Sequence, residues 1–304
     1  MKRREFIGNA AVLTAALSQL RMRTVLGMEA APAGSKAAQA VERYRSEIGI
    51  QLYTLRNQID ADVKSTIQAV ADAGYKQVEP YGFPNAKPMM DAARDCGMEI
   101  HSSHFAWDSV IDPARTDVPS FESILESAHE SGLSHLVIPY LQAEVRQSLD
   151  DYKKLCDRFN AAAAKAKQAG IQLAYHNHAF EFEPKEGGKC GYDVMVEEFS
   201  PEMKFEVDVF WVQVGGKDPA GLVRSLKGRV SQLHLKDLNE SIETPNYGSI
   251  PPEAFEELGD GVIELLPIIE AAAEVGVDHC HVEQDHSPYP LDSIRQSMTY
   301  LKNL

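Results

Sequence analysis

From Ile48 onward one unit recurs eight times: a short apolar run that ends in polar residues, then a longer stretch with helical periodicity. The strand candidates are IGIQLY (48–53), KQVEPY (76–81), MEIHSSH (98–104), HLVIPY (135–140), IQLAYH (171–176), KFEVDVF (204–210), VSQLHLKD (230–237) and HCHVEQD (279–285). Helical segments such as DVKSTIQAVADAG, FESILESAHESG and VIELLPIIEAAAEVG lie between them, several closed by a glycine suited to a helix C-cap. Eight such alternations predict a single-domain α/β fold, a (β/α)8 barrel. A doubly wound open sheet competes with it, but no Gly-rich phosphate loop follows the first strand.

The N-terminus reads differently. Residues 1–30 begin with a basic head containing Arg3 and Arg4, followed by a short apolar run from Phe6 to Leu17, the pattern of a twin-arginine type export signal. An Ala-rich linker is expected over 31–44 and the barrel over 45–304, which predicts an exported, periplasmic protein. No run of 18 or more apolar residues is present, so no membrane span is expected in the mature chain. Residues 1–44 carry a net charge of +4, leaving −19 on the remainder; that charge argues against a nucleic-acid partner. The four cysteines lack CxxC spacing and are expected to be free. Self-association is left open.

In a barrel of this kind the active site gathers where strands end and βα loops begin. Polar residues at those ends are Tyr53, Glu79, His104, His176, His178, Asp208, His234, Lys236 and Glu283. Side chains two apart on a strand share a face, so Glu206 lies below Asp208 and His281 below Glu283. The lower two are expected to form a buried hydrogen-bonded pair. Carboxylate and imidazole donors without thiolate suit one divalent ion, Mn, Co, Mg or Zn, in an open site. Such a site polarises a carbonyl while a nearby base takes the proton from the adjacent carbon. Lys236 either holds the developing oxyanion or forms a rim salt bridge with Asp237.

The strand ends FEVDVFW, LHLKD and HVEQD, preceded by YHNH, resemble the xylose isomerase-like TIM-barrel superfamily of sugar isomerases and epimerases. The resemblance implies that Asp208, His234 and Glu283 ligate the metal and that Glu283 also works in acid/base catalysis. It further implies a ligand Glu at the end of the fifth strand, where Ala174 stands in this chain. The fourth ligand is then Glu181 or one of the two histidines, with Glu181 the choice carried forward. YHNH is also similar to the YHxH of inosose dehydratase-like members, which implies a histidine base, His176 or His178, and elimination chemistry.

Tyr53, Glu79, His104 and Trp211 are the expected substrate contacts, and Glu183 a solvated loop carboxylate. The segment 239–261 is long enough to be read as a lid or substrate wall. These features favour a metal-dependent isomerase or epimerase acting on a sugar or keto-sugar. A dehydratase or 3-keto-glycoside lyase is the alternative, and a non-catalytic periplasmic sugar-binding protein is the alternative from another class.

Overall fold

The computed structural model describes residues 36–304. The export-signal reading of residues 1–30 lies outside the described residues. Eight parallel strands form one sheet in the order β2-β1-β10-β7-β6-β5-β4-β3. They are β1 Gly49–Gln51, β2 Gln77–Glu79, β3 Ser102–His104, β4 His135–Ile138, β5 Gln172–His176, β6 Met203–Asp208, β7 Val230–Leu235 and β10 His279–Val282. Two short strands, β8 Asp237–Leu238 and β9 Phe255–Glu256, pair antiparallel inside the loop after β7. Parallel bridges Gln77↔Glu99 and Phe83↔Phe105 join the two ends of the sheet, so the barrel closes as the alternation predicts. No helix among the described residues is long and apolar enough to cross a membrane.

Local chemistry sets the helix boundaries. Asp62 and Ser120 accept backbone N–H bonds at the starts of Val63–Ala73 and Phe121–Glu130, and Ser148 forms a capping box with Asp151. Gly74 and Gly276 end their helices with positive φ, a conformation that costs glycine little. The expected linker 31–44 is corrected in its last part, because Lys36–Ser46 is a helix. Its buried Tyr44 hydroxyl donates to the Val277 carbonyl, and Arg43 donates to the same oxygen at 3.0 Å. An Ala-rich stretch with Lys, Glu and Arg has high helix propensity, and the barrel floor supplies the surface that fixes it.

Alternation divides the strands into two environments. Ile50, Val78, Leu136, Leu173, Phe205, Val207, Leu233 and Val282 pack outward against the helices in the apolar layer. The inward positions are unusually polar for a barrel: Gln51, Glu79, Ser102, His104, His176, Glu206, Gln232, His234 and His281 are all buried. A Cβ on Gly49 would lie 2.3 Å from His281 Cδ2, so only glycine leaves room for that imidazole.

The expected Glu206–His281 pair does not form. Glu206 instead takes His104 at 2.8 Å, His176 at 3.0 Å and Gln232 at 2.5 Å, while both ring nitrogens of His281 lack a partner. The reason is strand order, since β7 lies between β6 and β10 and puts Gln232 between them. All four cysteines are free, as expected.

Candidate metal centre

Four donors from four neighbouring strands meet at the C-terminal mouth. His176 ends β5, Asp208 ends β6, His234 is the fifth residue of β7, and Glu283 follows β10. Their ligating atoms lie within 4.8 Å of one another, and all four residues are buried. His176 Nε2 is 3.5 Å from Asp208 Oδ2, and His234 Nδ1 is 2.8 Å from Glu283 Oε2. One oxygen of Asp208 caps the helix Val209–Val214 by accepting from Phe210 N at 2.9 Å and Trp211 N at 3.1 Å. The other, Oδ2, is buried and faces the mouth, with Lys236 Nζ at 3.0 Å and His176 Nε2 at 3.5 Å.

Charge at the mouth is unbalanced toward the negative. Glu79, Glu206, Asp208 and Glu283 are buried at or below it, and Lys236 is the one buried lysine among the described residues. Its ammonium lies 3.0 Å from Asp208, 2.7 Å from Glu283 and 2.8 Å from Asp285. Burial favours the neutral amine, but Asp208 and Asp285 outweigh it and hold Lys236 charged, well above the usual lysine range. Burial also opposes charge on His234, yet Glu206 and Glu283 raise its pKa well above the ordinary value. His104 is raised to about 9 in the same way, Glu79 and Glu206 overcoming its burial. Protons on imidazoles and one ammonium therefore supply the positive charge that these carboxylates require. A divalent ion would supply the same charge, and the buried, carboxylate-rich, thiolate-free donor set fits one. His176, Asp208, His234 and Glu283 are the residues that would hold it.

Two expected roles are corrected. Glu181 is turned away from the mouth: it accepts from the Tyr175 hydroxyl and, at 2.9 Å, from the His178 backbone N–H. Burial raises its carboxyl to about 8, which suits an enclosed acid rather than a ligand. Tyr175 points outward from β5, so a side chain bound to it leaves the barrel axis. The strand-five donor is His176, with Ala174 one pleat deeper and opposite Val137 and Lys204. Glu79, expected at substrate, is fully buried below the mouth; Gln51, Gln232 and His234 bind it at 2.8, 2.9 and 2.8 Å.

Above the donors opens a cavity of about 910 Å³ whose lining includes Tyr53, His104, His176, His178, Trp211 and Lys236. Those six were expected at the site from the sequence. His178 stacks on Phe180 with centroids 5.3 Å apart and packs against Trp211 at 5.1 Å. Burial, then His176 and Lys236, push its pKa well below the ordinary value, and its Nδ1 has no partner.

The rim salt bridge between Lys236 and Asp237 is absent. Asp237 instead accepts the N–H groups of Gly259, Gly261 and Ile263 at 2.9, 3.1 and 2.9 Å. A Cβ on Gly261 would come within 2.3 Å of Asp237 Oδ1, so the glycine permits this close approach. The segment 239–261 does form cavity wall, through Tyr247–Ile250 and Phe255.

Sequence reasoning missed Asp285 and Arg146. Asp285 stands two residues beyond Glu283, and strand alternation alone was enough to place it on the same face. Arg146 comes from the loop after β4, where no period applies; its guanidinium lies 3.5 Å above Phe180 and lines the cavity.

A curated inosose dehydratase from Lacticaseibacillus casei is 22% identical over 136 residues, 42% of this chain and 45% of that protein. The chain thus spans under half the length of that relative. A solved sugar phosphate isomerase/epimerase from Parabacteroides distasonis superposes with a TM-score of 0.67 and 26% identity, covering 84% of this chain and 97% of that one. The IolI protein, solved with a bound zinc atom, superposes with a TM-score of 0.64 and 15% identity over 84% of this chain and 98% of that one. Residues 67–304 match the family described as xylose isomerase-like TIM barrel, and the chain belongs to that family.

Proposed function

We propose that the protein is a divalent-metal-dependent enzyme that removes a proton from the carbon beside a carbonyl of a sugar or keto-sugar, giving isomerisation or epimerisation. The observation that carries this reading is the convergence of His176, Asp208, His234 and Glu283 beneath a cavity large enough for a sugar derivative. A bound ion would polarise the substrate carbonyl and make the neighbouring C–H acidic. His178 is the better proton acceptor of the two YHNH histidines. Both nitrogens of His176 face carboxylates, whereas His178 Nδ1 is unpartnered and its ring stays neutral. Lys236, fixed by three carboxylates, would place a positive charge beside the developing oxyanion.

A second reading keeps the metal and ends in elimination, as in a dehydratase or 3-keto-glycoside lyase. It is favoured by Ala174, because a two-carboxylate proton shuttle then lacks its strand-five member. Metal analysis of wild type beside Asp208→Ala plus His234→Ala tests the shared part: about one ion per chain, lost in the double variant, supports it. No metal in either, even after incubation with Mn²⁺ or Co²⁺, overturns it and favours a non-catalytic sugar-binding protein. With a 3-keto-glucoside in D₂O, deuterium uptake without loss of the aglycone marks the first reading and aglycone release the second. The export reading predicts periplasmic accumulation that Arg3→Lys plus Arg4→Lys abolishes.

A further inference from the structure

Each of the two donor histidines is gripped from below by a buried glutamate at 3.0 Å or less, and Glu206 reaches both rings. His234 turns Nδ1 up to Glu283 and Nε2 down to Glu79, both at 2.8 Å, with Glu206 also 3.2 Å from Nε2. His176 turns Nε2 up toward Asp208 and Nδ1 down to Glu206 at 3.0 Å. A carboxylate only accepts, so the lower nitrogen of each ring keeps its hydrogen on a glutamate; the upper nitrogen, which shares the mouth with Glu283 or Asp208, is the one a metal would take in place of a proton. The two glutamates are linked to each other. Gln232 Nε2 donates to Glu79 at 2.9 Å and to Glu206 at 2.5 Å, and His104 Nε2 reaches them at 3.2 and 2.8 Å. Gln51 and Ser102 also donate to Glu79, so neither carboxylate can rotate without breaking several bonds.

We propose that Glu79 and Glu206 are positioning residues for the metal centre, fixing His234 as the Nε2–H tautomer and His176 as the Nδ1–H tautomer, with Gln232 clamping the two together. This rests on the metal reading above. The energetic logic is that of a carboxylate–histidine–metal relay, in which the outer carboxylate orients the ring and increases its basicity. It also explains why polar residues fill an interior that apolar layers fill in most barrels. Two glutamates buried without this duty would be a net cost to the fold.

Two measurements test it. In zinc-loaded wild type, imidazole ¹⁵N NMR should show Nε2–H at His234 and Nδ1–H at His176; the opposite tautomer at either ring overturns the assignment. Co²⁺ affinity is then compared among wild type, Glu79→Gln and Glu206→Gln, with unfolding of the metal-free forms recorded alongside. A loss of about 10–100-fold in each variant that still folds is expected. Variants that bind Co²⁺ within twofold of wild type overturn this inference alone. A wild type that takes up neither Zn²⁺ nor Co²⁺ overturns the metal reading itself and this inference with it. If either variant fails to fold, the tautomers in wild type decide.

Discussion

Lys236 Nζ and Glu283 Oε2 lie 2.7 Å apart, both side chains almost wholly shielded from water. The same ammonium serves Asp208 and Asp285, so one cation is shared by three carboxylates at the place where a metal would bind. Lys236 therefore matters most to the metal-free protein.

Lys236→Met should destabilise the metal-free chain by about 3–5 kcal/mol, because it strands buried carboxylates without a counter-charge. Saturating Mn²⁺ should recover much of that loss. Chemical unfolding in chelator and in Mn²⁺ checks it; an equal deficit in both would show that the ion does not replace the ammonium.

Glu181 gives a prediction that depends on pH. Its folded-state pKa of about 8 lies above the ordinary value of 4.5, so the folded chain holds that proton more tightly than the unfolded chain. Stability is then lost progressively as pH rises from about 4.5 to about 8. Glu181→Gln should be more stable than wild type by about 1–3 kcal/mol at pH 8.5 and no more stable at pH 4. Its metal content should be unchanged, which urea unfolding and metal analysis of one preparation would establish.

Asp237 fastens the loop after β7 by accepting three backbone N–H groups. Asp237→Ala leaves those donors unpaired at a cost of about 1–3 kcal/mol. Limited proteolysis should then cut within 239–261 faster than in wild type, and KM should rise because Tyr247–Ile250 form cavity wall. Unchanged cleavage would mean that the β8–β9 hairpin alone holds the loop.

Gly49→Ala should cost about 1–3 kcal/mol, since the new methyl meets the His281 ring and the Cβ of Gln77. Combining it with His281→Ala should recover part of that loss, and a double-mutant cycle by denaturant unfolding measures the coupling.

Period and punctuation in the sequence determined the barrel. Eight apolar runs, each followed by a helical stretch, leave few other ways to bury their faces. Alternation also identified which side of each strand faces inward, which is why Asp208, His234 and Glu283 could be named together and why Asp285 was within reach. What alternation does not supply is height. Strands in a closed barrel are tilted and staggered, and that stagger decides which residues of different strands share a level. Only the assembled barrel therefore set His176 at the donor level with Ala174 beneath it, drew Glu79 and Glu206 together under the two histidines through Gln232, and separated Glu206 from His281 by a strand. Glu181 follows the same division: its sequence position makes it a loop carboxylate near the mouth, and the outward-facing Tyr175 decides that it turns away.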